Sequence, residues 1–502
     1  MIILPRQETL RPAIPVVIGS VDYTRLEKTL QTIDTILRQG GIETLFITLS
    51  AERFAAGAAK DGVEVTFKAM ARHQSQSALA LRCTILKNLL GGSYREMSQR
   101  LGECPLFRWF CRLEEFERVR VPGKSKLGDY ATWLPEEQMR KVLDAVTAAA
   151  ADRDEAGRST IGLANALELE VVWADTTCLK ANIHFPVDWV LLRDACRTLL
   201  KAVALIRKHG ILHRMETPAA FFSRINALCM EMSAARRATE SKKRRKAVLR
   251  QMKKAVKSVE RHARRYRVLL DENWEQTDWT RKQAQAVLRR IDGVLEALPA
   301  ALHQAHERII GERQVASANK RLSLYEPDIH VIVRGKAGAE VEFGNSLFVA
   351  EQSDGFILDH ELLKERSPGD SKWLEARLER IETLSGGKLA GVFTDRGCAS
   401  RRNERLLEEK DIFNGLCPRD PKVLRERLGD EIFVAGQKRR AQTEGRIGIL
   451  KNVFLEGTPR AKGFVNRQLA VAWAVLTHNL RVLARLPRVN EAGQSPPMAQ
   501  AA

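Results

Sequence analysis

Two short apolar runs each deliver an aspartate. Leu169-Glu170-Val171-Val172-Trp173 is rich in β-branched and aromatic residues, reads as a buried strand, and runs into Asp175. Leu389-Ala390-Gly391-Val392-Phe393-Thr394 reads the same way and ends in Asp395. A carboxylate at the end of a buried strand is costly unless it is paired or holds a metal, although Asp also commonly caps a turn. A third acid, Glu444, lies in GQKRRAQTEGRIGILKN, which reads as helix, with Arg440 four residues before it and Lys451 seven after it on one face. A surface salt-bridge ladder would have the same pattern. The chain holds 62 acids in 502 residues, so their placement, not their presence, carries the argument. Three carboxylates ~5 Å apart repel pairwise by about 3 kcal/mol at an effective dielectric near 20. Hard divalent cations relieve that repulsion, and all-oxygen ligation selects Mg²⁺ or Mn²⁺. Two such ions can activate a water or a DNA 3′-hydroxyl and stabilise the departing oxygen in phosphoryl transfer.

The elements that would position these acids follow from pattern. Removing a central helical block leaves strand, hairpin, helix, strand, helix, strand, helix, an order suited to a mixed sheet covered on both faces. It is the order of a ribonuclease-H-like domain. The hairpin is signalled by Gln352-Ser353-Asp354-Gly355 between apolar runs at 345–351 and 355–360. Residues 329–334 read as extended, 372–384 as an amphipathic helix, 401–410 as helix, 412–417 as strand, 432–452 largely as helix and 467–486 as an apolar helix packed on the sheet. Near the start, 16–19 and 43–49 read as short strands with a helix at 23–38 between them. Residues 93–110 read as two short helices around a turn at 102–105, with Ser93 and Glu96 as a capping box, which suits a helix-turn-helix or an ordinary helical hairpin.

The charge is +20 and the isoelectric point about 9.8, which argues for a polyanionic partner, nucleic acid before a membrane surface. Residues 236–267 carry 15 Lys or Arg against two acids, Glu240 and Glu260. Apolar residues recur through that block, so it reads as a helix with a basic face. Candidate phosphate contacts there are Lys242, Lys243, Arg244, Arg245, Lys246, Lys253 and Lys254; Arg95, Arg120, Lys124 and Lys126 are others in the N-terminal region. No apolar run of ~18 residues is present, and no secretory signal is evident, so a cytoplasmic protein is expected. The eight cysteines form no CxxC pair and read as reduced thiols, not a zinc site. His303 and His306 share a helical face and read as a solvated pair.

Four segments resemble a DDE transposase of a bacterial insertion sequence, closest to the group labelled ISNCY. They are SYREMSQRLGECPLFRWF with VRVPGKSKL; ADTTCLKANIHFPVDWVLLRD; GKAGAEVEFGNSLFVAEQSDGFILDHELL leading to GVFTDRGCAS; and KRRAQTEGRIGILKN. The resemblance spans about residues 75–485 in the family's order. It implies a ribonuclease-H-like catalytic domain in which Asp175, Asp395 and Glu444 hold two Mg²⁺ (or Mn²⁺) ions. It also implies that Arg440 and Lys451 hold the DNA backbone, within a signature whose Tyr position is Gln437 here. Asn182, His184 and Asp188 match the segment after the first aspartate; His184 reads as structural.

The expected layout is 1–72 of unassigned role, 73–160 a helical DNA-binding region, 161–190 the first part of the catalytic domain, 191–322 a basic all-helical insertion after the first strand, 323–486 the rest of the catalytic domain, and 487–502 a disordered tail. The expected function is a transposase that binds terminal inverted repeats, cuts DNA and joins the ends to a target. Synapsis of two ends implies at least a homodimer. The alternatives are a ribonuclease-H-like nuclease that does not join strands and a non-catalytic, domesticated DNA-binding protein.

Overall fold

The computed structural model describes residues 14–489 apart from 15, 114–117, 156, 158, 236–239, 337–338 and 368. Most of the disordered tail expected at 487–502 lies outside the described residues. Its first three residues are held, since Val489 N–H donates to Gly162 O and Arg488 bridges Leu163.

Seven helices precede the first strand: α1 (Val21–Gln39), α2 (Ile42–Lys60), α3 (Phe67–Leu90), α4 (Tyr94–Glu103), α5 (Pro105–Cys111), α6 (Lys124–Tyr130) and α7 (Glu136–Ala151). The strand expected at 43–49 is instead the first part of α2, where Glu43, Phe46 and Leu49 are buried on one face at helical spacing. A seven-residue apolar run fits either period, and burial against neighbouring helices decided it. The 72/73 division falls inside α3. The Ser93–Glu96 capping box is formed.

Strand β1 (Val171–Lys180) follows, and then four long helices: α8 (Asp188–Lys208), α9 (Pro218–Ala235), α10 (Ser241–Asn273) and α11 (Arg281–Ala305). These four pack as a bundle around their own apolar core, which includes Trp189, Leu199, Val256 and Leu298. The bundle thus lies between β1 and β2 and begins at Asp188, three residues before the 190/191 division expected from the sequence. Buried Asp188 ties the bundle's entry to its exit. It accepts hydrogen bonds from Gln304 Nε2 (2.8 Å) and from Arg308 Nη1 (2.9 and 3.0 Å).

The chain then returns to the sheet through β2 (His330–Lys336), β3 (Ala339–Glu351), β4 (Ile357–Leu362), α12 (Ser371–Leu384), β5 (Gly391–Thr394), α13 (Arg401–Glu409), β6 (Phe413–Leu416), α14 (Pro421–Arg427), α15 (Glu431–Ile449) and α16 (Phe464–Leu483). All six strands form one mixed sheet of order β2-β3-β1-β5-β6, with β4 paired to the same side of β3 as β2. On one side of β1 the pairing is antiparallel, on the other parallel. Helices α12 and α13 cover one face and α15 the other. A single continuous core joins the sheet to the N-terminal helices and α16. It is anchored by Arg140 of α7 on Glu361 and by Arg380 of α12 on Asp144.

Candidate active site at the β1–β5 junction

Asp175 does not end its strand. β1 continues through it to Lys180, and Asp175 lies opposite Val349 of β3. What ends there is the parallel pairing to β5, whose last matched pair is Trp173 and Phe393. Asp175 and Asp395 each lie two residues beyond that pair. Both therefore fall at the same level of adjacent strands, which are ~4.8 Å apart. Side chains alternate along a strand, so Asp175 shares the face of Trp173, the face covered by α15. Asp175 Oδ1 accepts from Thr176 N–H (2.7 Å), and Asp395 Oδ1 accepts from Gly397 N–H (2.8 Å). Arg419 fixes the turn beyond Asp395 by donating to Arg396 O and Gly397 O.

Helix α15 is fixed to both acid-bearing strands at once. Trp173 Nε1 donates to Gly436 O (2.9 Å), and Gln437 Nε2 donates to Thr394 O (3.1 Å) and Gly415 O (2.7 Å). A Cβ at Gly436 would sit 1.9 Å from Phe393 Cε1, so only glycine permits this approach. Arg439 lies over the Trp173 ring and pairs with the buried Glu351 of β3 (3.0 Å), which also accepts from Thr443 Oγ1 (2.8 Å). Gln437, which departs from the transposase signature, thus holds the ends of β5 and β6.

This docking brings Glu444, Arg440 and Lys451 to the face that carries Asp175. Lys451 Nζ donates to Thr177 Oγ1 (3.1 Å), two residues along β1 from Asp175. Arg440 Nη1 stands 3.7 Å from Glu444 Oε1, and the Glu444 side chain is 62% exposed. The Asp175 carboxyl is pushed up to about 6 by burial first, then by the charge of Asp395, with a further push from Glu444 and an opposing pull from Arg440. The three acids are therefore in electrostatic contact. They do not form a closed ligand set: among the described residues, no three His, Cys, Asp or Glu side chains are grouped so as to hold one ion. Asp175 and Asp395 offer oxygen donors of the kind a hard divalent cation takes, and they stand level on neighbouring strands.

A fourth carboxylate was missed from the sequence. Asp370, just before α12, reads there as an ordinary helix cap, but its side chain makes no capping bond. It accepts from Thr176 Oγ1 (2.8 Å), on the opposite face of β1. A Cβ at Gly397 would lie 2.8 Å from Asp370 Oδ2 and 2.9 Å from Asp395 Oδ1, so the two carboxylates meet across this turn. Burial followed by the charges of Asp395 and Asp370 raises the nearby Cys398 thiol to about 12. The available signal was an Asp at a cap position beside a strand end.

The other candidates are dispersed. In the paired helices, α5 buries Leu106, Phe107, Phe110 and Cys111, and Arg108 turns back onto Gly102 O. The second helix therefore offers no recognition face, and α4, with exposed Arg95, is the solvent-facing member. Arg120 and Lys124 are exposed, and Lys124 begins α6; Lys126 is spent over the Tyr130 and Trp133 rings. Of the cations expected on α10, Lys242 and Lys246 pair with Glu312, Arg244 with Glu231, Arg245 lies over Trp189, and Lys253 meets His306. Lys243 stands 3.7 Å from Glu240, and Lys254 is exposed. Exposed His184 and buried Asp188 lie beyond the end of β1, away from the acids. All eight cysteines are free.

Compared with protein-family models, curated proteins and solved structures, the chain matches none. Among the described residues, no helix is long and apolar enough to cross a membrane.

Proposed function

We propose that the chain is a DNA transposase of the DDE type, with a ribonuclease-H-like catalytic domain and a Mg²⁺- or Mn²⁺-dependent site at Asp175, Asp395 and Glu444. The observation that carries this reading is that Asp175 and Asp395 stand level, each two residues beyond the last parallel pair of β1 and β5, with the Glu444 helix fixed to both strands. The strand order, antiparallel on one side of β1 and parallel on the other, is the one expected of such a domain and supports it. So do the order of the four resembling segments and the charge of +20.

Two divalent ions would be held by Asp175 and Asp395 with Glu444, and they would supply an activated nucleophile and charge neutralisation at the phosphate. The chain's own residues do the rest. Lys451, tied to Thr177, and Arg440, beside Glu444, set two positive charges along the acids to orient a phosphodiester. Gly436 and Gln437 hold the helix in register with the strands. Burial of Asp175 excludes water from one side of the site. The bound partners are double-stranded DNA, both element ends and target, and a second copy of the chain that brings the other end.

The test incubates the protein with Mg²⁺ and DNA carrying the sequences that flank its gene. Nicking followed by joining to a second DNA is expected. Nicking without joining would assign a nuclease, and binding with no nicking would overturn the catalytic reading.

A further inference from the structure

We propose that the solvent face of α10 is a docking surface for the phosphate backbone of duplex DNA, formed by Arg250, Lys254, Lys257, Arg261 and Arg265. The proposal deepens the transposase reading by assigning the bundle a sequence-independent contact. It differs from what the charge run alone indicates, because the structure divides that run into two sets. The cations at the N-terminal end of α10 are largely engaged within the bundle, on Glu312, Glu231, Trp189 and His306. Further along, Arg264 pairs with Glu260, and Arg267 with Asp271 and Asp292. The five stripe residues are all exposed and, among the described residues, have neither an ion pair nor a side-chain hydrogen bond.

Their spacing makes them one surface. At ~100° per residue the five fall within an arc of about 80°, and at ~1.5 Å per residue they extend over about 22 Å. The arc points away from the buried stripe of Val248, Met252, Val256, Val259, Ala263 and Tyr266. Neither acid of the block interrupts it, since Glu240 lies before it and Glu260 is turned to Arg264. Duplex DNA presents a charge every ~1.7 Å of its axis, so a row of that length spans about a dozen phosphates, several of them on the side it faces. A membrane surface fits less well, because helices that lie on membranes present an apolar face outward. The apolar face of α10 is buried in the bundle core. A straight row of long cations on the outer face of a helix matches the charge of phosphate oxygens along a duplex, which carry no sequence information.

The test measures affinity of the full chain for an arbitrary duplex of ~40 base pairs across a salt series, with fluorescence anisotropy as readout. The variant Lys254→Gln, Lys257→Gln, Arg261→Gln is compared with the equal-charge control Lys60→Gln, Lys68→Gln, Arg72→Gln, whose residues are exposed on the N-terminal helices. Each neutralised phosphate contact contributes ~0.9 to the slope of log affinity against log salt, so the stripe variant should flatten the slope by about 2–3. Its affinity near ~0.1 M salt should fall about tenfold or more, and the control should change the slope by less than ~1. Equal effects of the two variants, or an unchanged slope in the stripe variant, would overturn the proposal. So would tighter binding of the wild type to phosphatidylserine vesicles than to the duplex. Absence of nicking by the wild type, with the stripe effect on the slope as expected, would sink the catalytic reading and leave this one standing.

Discussion

At the scale of single residues, the acid on β1 is perturbed by its surroundings. Burial and the neighbouring charge of Asp395 hold the Asp175 carboxyl at about 6, against an ordinary value of 3.8. The raised value means the folded chain binds this proton more tightly than the unfolded chain. That contribution to stability is complete below pH ~4 and is lost as pH rises through ~6. The difference of about two pH units corresponds to about 3 kcal/mol at neutral pH and above. Asp175→Asn removes the charge while keeping the shape. In urea denaturation at pH 8 without divalent metal it should be about 2–3 kcal/mol more stable than the wild type. The gain should vanish at pH ~3.5. Mg²⁺ should stabilise the wild type at pH 8 and leave the variant unmoved; equal stabilisation of both would show that the ion binds elsewhere. Asp175 and Asp395 were legible because a short β-branched run leading to a carboxylate is a local pattern. Asp370 was not, because its approach to Thr176 depends on how α12 packs across the sheet.

At the scale of elements, α15 decides whether the third acid reaches the other two. Gly436→Ala places a methyl against the Phe393 ring, where the gap is 1.9 Å, so the helix must lift from the sheet. Overpacking of this kind costs about 1–3 kcal/mol. The lift displaces Arg440 and Glu444, so nicking should fall by more than the stability loss accounts for, measured as rate on fully folded protein. Arg439→Met should cost about 3–5 kcal/mol in urea denaturation, because it leaves Glu351 buried with too few partners. A cost below ~1 kcal/mol would mean that Arg446, 3.6 Å from Glu351 Oε2, suffices. The elements themselves were largely legible. The long helices carried clear periodicity, and the Asp354-Gly355 hairpin and the capping box were read correctly. The 43–49 segment was not, since a short apolar run does not fix its own period. The extension of β1 beyond Asp175 is imposed by pairing to β3, which no local pattern contains.

At the scale of the whole molecule, the chain is built around two cores. One joins the N-terminal helices to the sheet, and the other fills the bundle inserted between β1 and β2. The acids stand where the sheet changes from antiparallel to parallel pairing, and the free basic row stands on the bundle. If the proposed DNA contact and the proposed chemistry reside in these two places, chelation of divalent metal by EDTA should abolish nicking while leaving duplex affinity within about twofold. The central claim is that three carboxylates act together on DNA, and it is most exposed at Glu444, whose side chain faces Arg440. The direct measurement is the rate of Mg²⁺-dependent nicking by Glu444→Gln against wild type, on flanking DNA that both bind equally. Loss of at least about a hundredfold is predicted, since even partners of metal ligands cost 10–100-fold. A rate within about threefold of wild type, less than ~1 kcal/mol in the barrier, would contradict the account.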